Sequence, residues 1–370
     1  MTHAGKPRAA AQHPHRRTIN LALQGGGAHG AFTWGVLDRL LEDGRVGFEG
    51  ISGSSGGAIN GALLAQGFHA GGGAGARAAL DRFWTRMSEV GWLNPVRRSW
   101  LEKMQGTWNL DHNPVALMME EMTLLFSPYE NNLNSHSHLR TLLEETIDFA
   151  ALRDPAAIKL YVGATHVRTG QPRIFRGDEL SVDALMASAC VPQFYPAVMI
   201  DGEAYWDGGY VGNPPLWPII YECTFPDIVI VQVQPIRREE VPQNAAAITN
   251  RLNEIVFNGA LMAQLRALSV VMQIINAPGT VGPHVDRLKK RNFFIHLIEA
   301  EQAMKSLGML SELSTDIEFL LYLKSLGRES ADHWLRTHFH DINHRSTFDI
   351  DALLLDTGSK SAPLLTWPDA

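Results

Sequence analysis

The stretch "INLALQGGGAHGAFTWGV", Ile19 to Val36, decides how the chain is read. An apolar run ends abruptly in Gly25, Gly26 and Gly27, and a helical pattern follows at once in Phe32, Val36, Leu37, Leu40 and Leu41. Apolar run, glycine turn and 3.6-residue periodicity spell strand, tight turn, helix. Three consecutive missing side chains also mean that something must approach this backbone closely.

The same unit recurs downstream. Phe48 to Ser52 reads as a short strand, "GSSGG" from Gly53 to Gly57 as the turn, and Ala58 to Ala65 as a helix. Further strands are expected at Lys159 to Ala164, Val198 to Ile200, Ile228 to Val233 and Phe293 to Ile298, separated by helical stretches. Such alternation predicts an α/β fold of three layers, α/β/α, with a mainly parallel central sheet. "HAGGGAGAR", His69 to Arg77, reads as a Gly/Ala loop inside one domain, because helical patterning resumes with Leu80, Phe83, Trp84 and Met87. The expected layout is a disordered tail over residues 1–17 and a catalytic core over 18–222. The same domain continues with C-terminal helices over 223–345, and a tail covers 346–370. The helical segment Ser311 to Phe339 is expected to pack across the sheet, and "IVFNGALMAQLRALSVVMQII", Ile255 to Ile275, to form an amphipathic core helix. Its Asn258, Gln264, Arg266 and Gln273 argue against a lone membrane span.

The chain has 370 residues, 45% of them hydrophobic, and a formal net charge of -7. That balance, without a basic stripe, excludes a dedicated nucleic-acid binder. Cys190 and Cys223 show no CxxC spacing and no histidine neighbours, which predicts buried reduced thiols and a cytoplasmic setting. No secretory h-region precedes Thr18.

The chemistry concentrates in three places. Gly53-Ser54-Ser55-Gly56-Gly57 satisfies G-x-S-x-G, with Ser55 on a strand-to-helix turn that throws its hydroxyl outward, and side chains at 53 or 57 would collide across that turn. Gly25, Gly26 and Gly27 offer backbone N–H groups at a strand end ahead of a helix N-terminus, a setting for a developing oxyanion, with the Gly56 N–H as a further donor. In "YWDGGYVGNPPL", Tyr205 to Leu216, Asp207 precedes Gly208 and Gly209, which let the loop carry a carboxylate close to another segment. Asp207 is the candidate general base for Ser55.

Together these pieces resemble the patatin-like phospholipase family, whose signature is a glycine-rich oxyanion loop, a G-x-S-x-G serine and a D-G-G aspartate working as a Ser-Asp dyad. The resemblance runs from about Asn20 to Pro215 and takes in "ASACVPQFYPAVMIDGEAYWDGG". It implies that Gly25, Gly26, Gly27 and Gly30 form the oxyanion loop, that Ser55 is the nucleophile and Asp207 its partner, and that Gly53, Gly57, Gly208 and Gly209 support the motifs. It also implies a lipid or fatty-acyl ester substrate and no metal or organic cofactor. One departure is His166, in "ATHVRTG", where relatives carry an acidic residue.

Other readings compete. Gly25-x-Gly27-x-x-Gly30 also fits the dinucleotide fingerprint, but Glu42 and Asp43 fall at a helix end where no ribose would meet them. A Ser-His-Asp triad through His166 or His296 lacks a motif, and the spacing of His338, His340 and His344 suits a solvated helix end better than a metal. Leu93, Val96, Trp100, Leu101 and Met104, with Arg97, Arg98 and Lys103 nearby, read as core or as a lid making peripheral membrane contact. The alternative to an enzyme is an inactive module of the same fold that binds a lipid or an anion.

Overall fold

A computed structural model describes residues 16–90, 98, 100–111, 113–130, 135–276 and 293–355. Leu93, Val96 and Arg97 lie outside the described residues. Strand β1 (Arg17–Leu23) pairs in parallel with β2 (Val46–Ser54) on one side and with β7 (Asp227–Val231) on the other. β8 (Phe294–Ile298) extends the parallel run beyond β7, and β3 (Lys159–His166) extends it beyond β2. Past β3 the sheet turns antiparallel through β4 (Pro172–Phe175), β6 (Glu203–Asp207) and β5 (Val198–Ile200), in the order β5-β6-β3-β2-β1-β7-β8 with β4 also on β3. The sheet is therefore mixed, with parallel strands at its centre.

Alternation along the strands assigns the two faces. Ile19, Leu21, Leu23, Val229 and Val231 point into one core, with α1 (Gly30–Asp43) and α2 (Gly56–Val90) packed over them. Ala22, Ile228 and Ile230 point into the other, under α8 (Trp217–Glu222) and α9 (Ala245–Asn276). The result is a three-layer α/β/α sandwich whose strands are buried on both faces, which is why they read as continuous apolar runs.

Four expectations change. Residues 69–77 are not a loop: the helix continues through them apart from a break at Gly71 and Gly72. A Cβ on Gly75 would stand 2.4 Å from the Gly67 carbonyl oxygen, so these glycines let the two halves of α2 touch. Helix α11 (Ile317–His338) lies chiefly along α1, where a Cβ on Gly35 or on Gly327 would come within 2.0 Å of a backbone carbonyl oxygen of the other helix. There the buried Asp38 accepts from Arg77 Nε at 2.6 Å and from Arg328. Helix α9 buries Leu261, Leu265 and Leu268 but exposes Leu252, Ile255, Val256, Val271 and Ile274. Only 28% of its most apolar window is buried, so it is a covering helix and not a core one. The expected tail from residue 346 begins with helix α12 (Ile350–Leu355), whose Ile350 is buried in the second core.

Candidate active site

Ser55 follows the last residue of β2 and precedes the first turn of α2, with φ at +52°. A non-glycine residue in this left-handed region carries strain that the surrounding structure must hold. The glycines beside it are sterically required. A Cβ on Gly53 would stand 2.7 Å from Ala58 N across the turn, and one on Gly57 would stand 2.2 Å from the Leu23 carbonyl oxygen at the end of β1. From outside the turn, Ser188, the last residue of α7 (Val182–Ser188), accepts the Ser55 N–H on its Oγ at 2.9 Å.

Asp207 is the last residue of β6, and its main chain is fixed at both ends. Its N–H donates to Cys190 O at 2.8 Å and its carbonyl accepts from Thr165 Oγ1 at 2.7 Å. Its Oδ1 accepts the Gly209 N–H at 2.7 Å, and the Ser55 hydroxyl lies near enough to the carboxylate to favour its charged form. The fold thus unites residues that lie far apart in the chain. A Cβ on Gly208 would sit 2.1 Å from Gly163 O in β3, and one on Gly209 would sit 2.5 Å from the Phe257 ring of α9, so the D-G-G turn is wedged between sheet and covering helix.

The question raised by the three glycines now has a partial answer from packing. A Cβ on Gly25 would be 2.7 Å from both Ser54 O and Ser55 Cβ, and one on Gly27 would be 2.5 Å from Glu312 O. What lies against this backbone is the serine turn on one side and a C-terminal 3₁₀ turn (Met309–Leu313) on the other. Gly56 sits beside Gly27, and Gly30 opens α1 against Asn60 and Trp84. Gly25 itself does not present its amide to a ligand. That N–H donates to Asn213 Oδ1 at 2.6 Å, which removes it from the expected oxyanion donors. Gly26, Gly27 and Gly56 remain.

Burial dominates the electrostatics. Asp207 is 1% exposed, and burial raises its pKa to about 7, against the pull of the Gly209 N–H and the Ser55 hydroxyl. Glu312 is also raised to about 7, by burial first, countered by the Gln234 side chain and reinforced by the charges of Asp207 and Glu254. Burial lowers His29 to about 3, so this imidazole, bonded to Ser311 Oγ at 2.7 Å, is neutral. A carboxylate titrating near neutrality beside a strained serine hydroxyl has the proton affinity that a general base needs.

His166 is engaged elsewhere, with Glu203 Oε2 at 2.9 Å and Thr169 Oγ1 at 2.7 Å. His296 pairs with Asp227 at 2.9 Å, toward the opposite end of the parallel strands. Neither reaches the serine. Cys190 and Cys223 are buried thiols. Sequence reasoning missed Ser188, Gln24, Asn213 and Glu312. Ser188, Asn213 and Gln24 stand inside stretches singled out for other residues, while Glu312 carried no local signal.

A family model described as patatin-like phospholipase matches residues 21–220, more than half of the chain. The chain belongs to the patatin-like phospholipase family. Among solved structures, this patatin-like chain is similar to VipD from Legionella pneumophila, at 14% identity and TM-score 0.40 over 88% of this chain and 67% of that one. It is also similar to a chain in the complex of full-length SpcU with full-length ExoU, from the type III secretion system of Pseudomonas aeruginosa. That match has 16% identity and TM-score 0.29, over 87% of this chain and about half, 54%, of the other. No curated protein matches significantly. Family membership supports a lipid hydrolase function.

Proposed function

We propose that the chain is a serine acyl hydrolase of lipid esters, of phospholipase A or lysophospholipase type, working through a Ser55-Asp207 dyad. Asp207 accepts the proton of the Ser55 hydroxyl as its oxygen attacks the ester carbonyl. The amides of Gly26, Gly27 and Gly56 receive the developing oxyanion, and the alcohol leaves with a proton returned by Asp207. Water, activated by the same carboxylate, then releases the fatty acid. The observation that carries this reading is a positive-φ serine whose hydroxyl acts on a buried carboxylate raised to about 7. Ser55→Ala should reduce ester hydrolysis by four orders of magnitude or more, to the level of the uncatalysed background, with the fold intact. A fluorophosphonate probe should label Ser55 in the wild type. Folded protein that takes no label would favour the lipid-binding module instead.

Membrane contact belongs to the same reading. Trp100 and Met104 on α3 (Trp100–Gln105), and Met118 and Leu125 on α4 (Pro114–Leu125), are exposed together with Phe126. These side chains suit a lipid surface. Trp100→Asp should slow turnover of vesicle lipid severalfold while leaving a soluble short-chain ester unaffected, and equal turnover of both substrates would remove this contact from the proposal.

A further inference from the structure

We propose that the side-chain amide of Asn213 is a further donor of the oxyanion hole, taking the place that the Gly25 N–H gives up; this rests on the acyl-hydrolase reading above. Asn213 is fully buried in the loop that follows the D-G-G turn. Its Oδ1 accepts the Gly25 N–H at 2.6 Å. A backbone N–H can only donate, so this contact fixes which end of the amide is oxygen and leaves the NH2 end facing elsewhere. That Nδ2 has no acceptor among the described residues. A buried donor without a partner is disfavoured in a folded chain and calls for an explanation.

Its surroundings supply one. Gly25 is packed against Ser55 Cβ, so the Asn213 amide lies one residue from the attacking group. The amide is also held still. The Asn213 main-chain carbonyl accepts from Gln24 Nε2 at 3.2 Å, and Gln24 is pinned through its Oε1 by the N–H groups of Val233 and Gln234, each at 2.9 Å. Gln24 Nε2 also donates to Asn258 Oδ1 at 3.0 Å, and Asn258 Nδ2 donates to Pro235 O at 3.0 Å. In this set of buried amides each hydrogen-bonding partner immobilises the next, while the Asn213 NH2 stays unspent. A donor fixed in advance where an acyl oxygen gathers charge costs no reorganisation during the reaction. The acyl oxygen of the tetrahedral intermediate, formed as Ser55 Oγ bonds to the carbonyl carbon and the carbonyl π electrons move onto oxygen, is the acceptor this donor lacks.

Two variants and one spectrum test it. Asn213→Ala removes the donor, and kcat on a soluble ester should fall about 10²-fold or more with KM little changed. Asn213→Asp retains an acceptor for Gly25, but its ionised form donates nothing and its neutral form does. The ratio of wild-type to variant kcat should therefore narrow as pH falls. With asparagine 15N-labelled, the wild-type Asn213 side-chain amide proton should move downfield when Ser55 is phosphonylated, a readout that needs no variant to fold. A kcat within threefold of wild type in Asn213→Ala, an Asn213→Asp deficit independent of pH, or an amide resonance unmoved by phosphonylation would overturn the assignment. If Ser55→Ala retains activity, the hydrolase reading fails first; if that variant is inactive while Asn213→Ala is fully active, only this inference falls.

Discussion

Two buried aspartates stand near opposite ends of the parallel strands, and their surroundings assign them different work. Asp227 opens β7 and is completely buried, yet its carboxylate is saturated. Oδ1 accepts from His296 Nε2 at 2.9 Å, and both oxygens accept the Asn343 N–H, at 2.9 and 3.1 Å. His296 Nδ1 is bonded in turn to Thr347 Oγ1 at 2.9 Å. On paper this is Asp-His-Thr, the pattern of a catalytic triad. It nevertheless lies toward the strand N-termini, away from the crevice at their carboxyl ends where open α/β sheets take ligands. Asp207, almost as buried, has one amide and one hydroxyl for company. An under-served carboxylate keeps its appetite for a proton, whereas a saturated one holds chain segments together. Burial is common to both, and the partners make the difference.

Substituting each aspartate by asparagine exposes that difference, and the larger effect belongs to Asp207. Asp207→Asn should lower kcat about 10³-fold, within the range that general-base catalysis supplies. In the wild type kcat/KM should rise with pH and level off above about 7, because the base acts only when ionised. Stability should move the other way. The folded pKa is raised from 3.8 to about 7, so the unfolded chain gives up this proton first. Rising pH between about 4 and about 7 then favours unfolding, by about 2–4 kcal/mol in all, and the penalty persists above that window. Asp207→Asn should therefore be inactive yet more stable than wild type at pH 8, as measured by urea denaturation. A variant that is less stable there would mean that the carboxylate is better served than the Gly209 N–H and the nearby Ser55 hydroxyl indicate.

Asp227→Asn should do the reverse. An asparagine offers one acceptor atom where two are used, and its NH2 would confront either His296 or the Asn343 N–H. The loss should be about 2–4 kcal/mol of stability, with kcat unchanged in the folded fraction. A fall in kcat at constant stability would break the division of labour between the two ends of the sheet.

How far the sequence foretold this arrangement depends on the kind of constraint. Glycines 25, 53, 57 and 208 were legible because steric demand leaves a one-letter trace, and each now has a named backbone or side-chain atom within 2.7 Å of where a Cβ would be. The parallel strands were legible through their apolar runs. Gly71, Gly72 and Gly75 misled: the first two form a short break inside α2 and the third sits at the contact between its halves, and in sequence both look the same as glycine in a loop. The antiparallel strand β4, with Pro172 and Arg173 in four residues, carries too little pattern to be found, although the still shorter β5 was expected. Ser188, Gln24 and Glu312 could not be inferred because their roles come from atoms that only the folded chain brings near. Gly25 shows the limit most clearly: its identity follows from sterics, but the use of its N–H is decided by a side chain 188 positions away.

His166 should give the smallest effect, and its smallness is informative. In the sequence it is the departure from the family pattern, and in the structure it sits at the open end of β3 beside the strand that carries Asp207. Yet its ring is bonded to Glu203 and Thr169, and Glu203, held below the usual carboxylate range chiefly by that imidazole, is at the surface. Surface pairs of this kind contribute little, because water competes for both partners. His166→Ala should leave kcat and its pH profile unchanged and shift the melting temperature by no more than a degree or two. A displaced pH profile would mean that the imidazole senses Asp207 through β6, two residues along from where Ala164 pairs with it. The contrast would then lie between one coupled edge and one isolated one, and no longer between two independent aspartates.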